Sequence, residues 1–405
     1  MIGLSSACYL GNLKNHNRHA ILDLIRFTPG GISRAELARQ MGLSRTAVTS
    51  IINNLLDAGI VHETESGPAP SGRRPILLEI DPQRGFVVGV DIGVTHLTLV
   101  LSDIAARVIR EVEVPFDVSD GPDAGLRKVD EQVQALLDQA GLALQDVLTI
   151  GVGVPGPIAV DRGTVISPPI MPGWDNYPIQ SALQDCWGIP VSLNNDAELG
   201  ALGEWAYGVG RGVSNLVYIK VGSGIGAGLI LNNMIYRGTR GTAGEIGHLT
   251  VDDQGPICTC GNRGCLEVLA GGRAIARQAQ RAVFSGQRTQ MVNIKPVEKI
   301  TSREVIIAAQ RGDLVAQQIV SEAGAFIGTA IAGLINVLNP DIVVVGGGLA
   351  QSGDLLLEPI RRAVRQRSLR AAVQAVRITG AVLGRRSSSM GAVVQALTMV
   401  LHQIT

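Results

Sequence analysis

The feature that most constrains the fold is an internal echo. Residues 86–103, FVVGVDIGVTHLTLVLSD, and 215–232, NLVYIKVGSGIGAGLILN, each read as an apolar strand, a glycine-rich turn and a second apolar strand. Helical segments follow each of them, so a duplicated lobe is expected. A third glycine-rich turn, in DIVVVGGGLA at 341–350, again follows a buried-strand pattern. Helical patterns around 124–140, 197–207, 266–283, 302–338, 354–366 and 389–402 alternate with these strands, which makes the class α/β in two lobes. With 405 residues and 46% hydrophobic content the chain has material for two or three cores.

Residues 15–80 differ in character. From Asn17 to Phe27 a helical pattern aligns Ile21, Leu24 and Ile25, and Ser33-Arg34-Ala35-Glu36 has the spacing of a capping box that opens a second helix. Met41-Gly42-Leu43 turns the chain, and Ser44 is placed to cap a third helix. There Ala47, Val48, Ile51, Ile52 and Leu55 face inward, leaving Arg45, Thr46, Thr49, Ser50 and Asn53 outside. Two helices joined by a tight glycine turn suit major-groove docking. Residues 60–80 read as two strands around a Gly/Pro/Ser loop carrying Arg73 and Arg74, a wing that can reach phosphates or a minor groove. Ser44, Arg45, Thr46, Thr49, Ser50, Asn53, Arg73 and Arg74 are thus the expected contacts to double-stranded DNA. The alternative is a helical module used for protein contact.

Charge sharpens this expectation. The whole chain has a formal net charge of zero, so attraction to DNA has to be local; up to Arg74 there are eight Lys/Arg against five acids. Aromatic residues make up 3% of the chain, too few for the stacking platforms of single-strand binders. The first residues show no basic stretch followed by an apolar core and cleavage site, and no uninterrupted apolar run of about 18 residues occurs. A cytoplasmic protein with no membrane partner is expected.

Within GEIGHLTVDDQGPICTCGNRGCLE, residues 244–267, stand His248, Cys258, Cys260 and Cys265, in a chain with five cysteines altogether. Cys8 and Cys186 are isolated, which makes a poor disulfide framework. Three thiolates and an imidazole form a closed tetrahedral set suited to structural zinc. A DNA-reading finger is disfavoured, because CTCGNRGC is short, almost uncharged and not followed by a basic helix. Glu245 and Glu267 flank the set, and a metal clip would pin both carboxylates toward one pocket.

Two glycine turns facing each other across a cleft can hold nucleotide phosphates, since backbone N–H groups approach without interference from a Cβ. Asp91 could hold Mg²⁺ through water, and Thr95 could donate to phosphate. Glycine turns also simply connect strands, and both readings stand. Asp196, in LNNDA, should sit where a strand enters a helix. It could take the proton of a sugar hydroxyl attacking a γ-phosphate, with Asn195 bonding neighbouring hydroxyls, or it could cap the helix.

A winged helix-turn-helix followed by DIGVT, PGW, NNDAELGALGE, VGSGIGAG, GEIGH and CTCGNRGCLE resembles the ROK family of bacterial sugar repressors and sugar kinases over nearly the whole chain. The resemblance implies an actin-like, hexokinase-like ATPase fold in two lobes behind the winged helix-turn-helix, with a sugar between the lobes. It implies that Asn195, Asp196, Glu245, His248 and Glu267 contact sugar hydroxyls, with Asp196 the base in kinase members, and that His248 also joins Cys258, Cys260 and Cys265 on zinc. Asp91, Gly93, Thr95, Gly222, Ser223, Gly224, Gly346 and Gly347 would line an ATP site. Val94 stands where family kinases carry the second glycine of D-x-G-G-T, and its branched side chain argues against ATP and Mg²⁺. Pro169 stands near the place where the family often has a sugar-binding asparagine before Trp174.

The expected domains are residues 1–82, the DNA-binding unit; 83–194 with a C-terminal helix 388–405, the first lobe; and 195–387, the second lobe with zinc and an oligomerisation surface. A DNA module marks repressor members, so a sugar-responsive repressor is expected, a homodimer or homotetramer with a monosaccharide effector. The alternatives are an ATP-dependent sugar kinase, and a binding protein whose helix-turn-helix serves assembly.

Overall fold

The computed structural model describes residues 6–28, 30–65, 76–159, 162–166 and 171–403. The apolar runs pair as their periodicity demands. Strand Phe86–Ile92 lies in the middle of a five-stranded sheet ordered Val191–Asn195, Val147–Val154, Phe86–Ile92, His96–Asp103, Val108–Pro115. The first three strands are parallel and the last two pair antiparallel. Leu216–Val221 holds the same place in the second sheet, ordered Met234–Ile235, Ile225–Leu231, Leu216–Val221, Ile342–Gly346, Arg377–Gly380. Its hairpin is again antiparallel and its crossover strands parallel. The echo in the sequence is therefore an echo of topology, two mixed α/β lobes.

The two hairpins are alike up to the turn and differ by one residue within it. Ile92 pairs with Leu97 across Gly93-Val94-Thr95-His96, and Val221 pairs with Ile225 across Gly222-Ser223-Gly224. Asp91 in Asp-Ile-Gly and Lys220 in Lys-Val-Gly each stand two residues before the first turn glycine, at the end of a central strand.

Two long helical patterns break where local chemistry breaks them. The stretch 266–283 divides at Gly271 into Leu266–Ala270 and Gly272–Phe284. The stretch 302–338 divides into Ser302–Gln310 and Leu314–Leu338; Gly312 has φ +88°, and Asp313 caps the second helix by accepting from Ala316 N at 2.9 Å. A helix at Ile179–Trp187 was not foreseen. Leu314–Leu338 is long and apolar enough to cross a membrane by length and composition, yet Ile319, Val320, Ile327, Ile331 and Ile335 pack in the second lobe's core with Leu356 and Ile360.

The N-terminal module follows the helix-turn-helix pattern. Ser33 caps helix Arg34–Met41, accepting from Glu36 N at 3.2 Å; the Glu36 carboxylate turns to Arg39 and Gln40, so half of the expected capping box forms. Gly42, at φ +64°, ends that helix with its N–H on the Ala38 carbonyl, a left-handed cap that favours glycine. Ser44 caps Arg45–Asp57, whose Val48, Ile52 and Leu55 are buried. The wing strands Val61–Glu65 and Ile76–Ile80 pair antiparallel, with Ile32–Ser33 on the far edge. The loop with Arg73 and Arg74 lies outside the described residues, as does Pro169.

The first helix runs from Ser6 to Phe27, longer than its apolar pattern suggested, and buries Leu22 and Arg26 while Leu24 stays half-buried. The reason is tertiary: this helix packs against the C-terminal helix Ser387–Gln403. Ile21, Leu22 and Ile25 share one core with Val393, Leu397 and Leu401 and with Val87 and Val100 of the first sheet. The C-terminal helix is in turn pressed onto Asp196–Tyr207 so closely that a Cβ at Gly391 would collide with the Leu199 carbonyl.

Candidate functional site

The loop 244–267 is knitted by its own backbone. Cys258 N donates to Asn262 O at 2.7 Å, Gly261 N to Cys258 O at 3.0 Å, and Leu266 N to Leu249 O at 2.9 Å. These bonds gather His248, Cys258, Cys260 and Cys265 until their ligand atoms all lie within 4.8 Å of one another. Cys258 Sγ is 3.7 Å from His248 Nδ1, and Cys260 Sγ is 3.7 Å from Cys265 Sγ. That sulfur separation is far beyond a disulfide bond of about 2.05 Å. It matches the edge of about 3.8 Å that Zn–S bonds of about 2.3 Å give a tetrahedron. The four donors therefore fit a closed zinc site. His248 faces the thiols with Nδ1, which leaves Nε2 for another contact.

The same loop positions two carboxylates. Glu245 lies just before the single turn Ile246–His248, and Glu267 lies in the first turn of helix Leu266–Ala270, two residues after Cys265. Burial pushes Glu245 up to about 7, helped by the charges of Asp196, Glu267 and Glu198. Four carboxylates thus converge on one region, and Glu245 is poised between hydrogen-bond donor and acceptor near neutrality.

Asn195 ends strand Val191–Asn195 and caps the following helix: its Oδ1 accepts from Ala197 N at 2.8 Å and Glu198 N at 3.1 Å, while Nδ2 donates to Gly156 O at 2.9 Å. The cap therefore falls to Asn195, and the Asp196 carboxylate is left for other work. Lys220 takes it. Lys220 Nζ is 2.9 Å from Asp196 Oδ2, 3.3 Å from Asp91 Oδ2, and donates to Ser388 Oγ at 2.9 Å. This bridge joins the central strands of the two sheets and the first turn of the C-terminal helix. Burial raises the Asp91 and Asp196 carboxyls, in Asp196 with added repulsion from Asp91, and Lys220 opposes the rise in both. For Lys220 burial acts to lower the pKa, and the two carboxylates outweigh it, holding the ammonium above its ordinary value. Neither Lys220 nor Ser388 was foreseen; a lysine inside an apolar strand, in register with Asp91, was the available signal.

The glycines read as a phosphate cradle have local explanations. A Cβ at Gly93 would collide with the His96 ring, which lies over that turn, and a Cβ at Gly224 would collide with the Glu267 carboxylate. Glu267 Oε2 accepts the Ile225 N–H at 3.1 Å, a donor that a phosphate would otherwise want. Gly346 makes room for the Tyr218 hydroxyl, and Gly347, at φ +82°, lies against Val221. Thr95 is exposed, and Ser223 and Gly222 sit half-buried in the second turn. Trp174 belongs to the first lobe's core, donating through Nε1 to Val118 O at 2.9 Å.

In the N-terminal module, Ser44, Arg45, Thr46, Thr49, Ser50 and Asn53 are all exposed along one face of Arg45–Asp57. Asn54, not foreseen, is exposed next to them. Ser44 spends its side chain on the cap, accepting from Ala47 N at 3.2 Å.

The ROK family model matches residues 87–399, and a winged helix-turn-helix DNA-binding model matches residues 14–62. A xylose repressor of Caldicellulosiruptor bescii is 33% identical over 370 residues, 91% of this chain and 92% of that protein. The crystal structure of a ROK family transcriptional regulator, a homologue of the Escherichia coli MLC protein, superposes with a TM-score of 0.79 at 28% identity, covering 97% of each chain. A ROK glucokinase from Streptomyces griseus, in complex with glucose and AMPPNP, reaches 0.70 at 30% identity, over 77% of this chain and 99% of its own. This chain, two hexokinase-like lobes behind a winged helix-turn-helix, belongs to the ROK family.

Proposed function

We propose that the chain is a transcriptional regulator of repressor type that binds an operator through Arg45–Asp57 and the wing, and responds to a monosaccharide between its lobes. The observation that carries this reading is the C-terminal helix. At its start Ser388 donates to the Asp196 carbonyl at 2.8 Å and accepts from Lys220; further on, Thr398 Oγ1 accepts from Arg26 Nη2 at 3.1 Å, and His402 stacks on His19 at 3.9 Å. One rigid element touches both the cleft and the DNA module, so a sugar that shifts its start shifts the module. The names of the regulator relatives support the same reading.

The sugar is held by Asp196, Glu245, His248 through Nε2, and Glu267, with the remaining N–H of the Asn195 amide. Residues 1–82 act as the DNA unit, 83–194 with 388–405 as the first lobe, and 195–387 as the second. The active form is a homodimer or homotetramer, placing two recognition helices on a pseudopalindrome. The effector must favour one arrangement over the other by a few kcal/mol to swing occupancy.

Fluorescence anisotropy with DNA from the chain's own upstream region, in the presence of D-xylose and a panel of other sugars, tests this. One sugar is expected to change the affinity. Arg45→Ala is expected to weaken binding about ten- to hundredfold, the share of one base-reading side chain at about 1–3 kcal/mol, without changing the melting temperature. Binding that is unaltered in Arg45→Ala and indifferent to every sugar overturns the reading, and no DNA binding by the wild type overturns it in favour of a module used for assembly.

A further inference from the structure

A regulator with a kinase-like cleft raises the question of whether that cleft works with a nucleotide, and Lys220 answers it. We infer that the Lys220 ammonium is the protein's own cation between Asp91 and Asp196, and that it excludes the divalent metal, and with it the nucleotide, so that the cleft takes its ligand alone. A metal bridging a polyphosphate needs the Asp91 carboxylate directly or through water. Here Asp91 is 1% exposed, its oxygens lie 3.3 and 3.4 Å from Nζ, and the Asp196 carboxylate is 2.9 Å from the same nitrogen. A dication beside them would face a full positive charge at contact distance in a site largely closed to water.

The lysine is locked in place. Its nitrogen has two carboxylates and the Ser388 hydroxyl as partners, and an ammonium has no more than three protons to give. Swinging away would leave Asp91 and Asp196 buried and unpaired. The surroundings agree: His96 covers the first turn and Glu267 consumes the Ile225 N–H of the second. The same bridge disqualifies Asp196 as a general base, because taking a proton from a sugar hydroxyl would discharge the ion pair that holds the two lobes together.

The placement is pseudo-symmetric: Asp91 and Lys220 each stand two residues before the first turn glycine of a central strand, and their side chains meet between the two sheets.

The test uses the zinc-loaded full-length chain and Mn²⁺ as the probe, counting bound metal by electron paramagnetic resonance with and without ATP, and reads no DNA binding, so its failure is separate from that of the regulator reading. The wild type is expected to bind no Mn²⁺ in the cleft. Lys220→Ala is expected to gain one Mn²⁺ with affinity at least tenfold above wild type, and Asp91→Asn in that background to remove the gain. The double variant also keeps the local net charge of the wild type, and so controls for folding. One Mn²⁺ bound to the wild type and lost in Asp91→Asn overturns the inference, as does a folded Lys220→Ala that gains none. Should Lys220→Ala fail to fold, the wild-type measurement with Mn²⁺ and ATP still decides: binding that Asp91→Asn removes overturns it, and its absence supports it.

Discussion

The hairpins of the two lobes are both antiparallel with a glycine at the start of the turn, four residues between the last paired positions in the first and three in the second, and each turn is covered in a different way. In the first lobe the cover is local: His96, the residue that follows the turn, lays its ring over Gly93. In the second the cover comes from far along the chain: Glu267 reaches Ile225 N across 42 positions and presses on Gly224. What holds Glu267 there is the loop that ends at Cys265, whose backbone hydrogen bonds gather the four donors fit for zinc. The first turn is therefore a property of its own hairpin, and the second depends on the loop that carries the four candidate zinc ligands.

The largest expected effect separates the two. Removing zinc, by chelation or by Cys258→Ser, is expected to lower stability by about 4 kcal/mol or more, because structural zinc contributes folding free energy. Hydrogen exchange sharpens this. The Ile225 N–H, bonded to Glu267, should exchange faster in the zinc-free protein, while the Gly93 N–H, bonded to the His96 carbonyl at 2.8 Å, should be unchanged. Equal loss of protection in both turns would break the comparison.

A second effect tests the contact between the hairpins. Lys220→Met keeps the length of the side chain and leaves Asp91 and Asp196 buried without their cation, for which a loss of about 3–5 kcal/mol is expected. Asp91→Asn in the same chain should recover part of it. A double-mutant cycle on urea unfolding measures the coupling; additivity of the two changes would mean that the bridge between the strands carries no energy.

These features were unequally legible in the sequence. Strands, turns and the recognition helix follow from short-range periodicity and caps, and the zinc set follows from the spacing of soft ligands. Arg-Gly-Asp at 311–313 carried a stop and a start for the helices there, but the apolar period running through 302–338 concealed it. Leu22 and Arg26 are buried because a helix nearly four hundred residues away packs on them, and no local pattern reports that. Lys220 was hidden for the opposite reason. It interrupts an apolar strand in plain view, but its meaning depends on Asp91, 129 positions upstream, and becomes visible once the two hairpins are laid in register. The glycines stay ambiguous in the sequence: a turn built for a phosphate and a turn built for a close side chain are spelled alike.

The smallest effect concerns the local cover of the first turn. Burial, with Lys220 and Arg385 adding to it, lowers His96 from 6.5 to about 4, against the weaker pull of Glu113 and Asp196. In the unfolded chain the imidazole keeps its ordinary pKa, so between the two values the unfolded state binds more protons and folding weakens as pH falls. The stability at stake is absent below about 4 and fully present above about 6.5, with a ceiling of about 3 kcal/mol. Urea midpoints measured from pH 7 down to 4.5 should therefore fall more steeply for the wild type than for His96→Asn, which cannot charge. Removing zinc should leave that difference intact, since nothing in the cover of the first turn passes through the metal loop. Parallel curves for wild type and His96→Asn would mean that the ring takes up its proton at no cost, and that the first turn is as open to solvent as the second is closed.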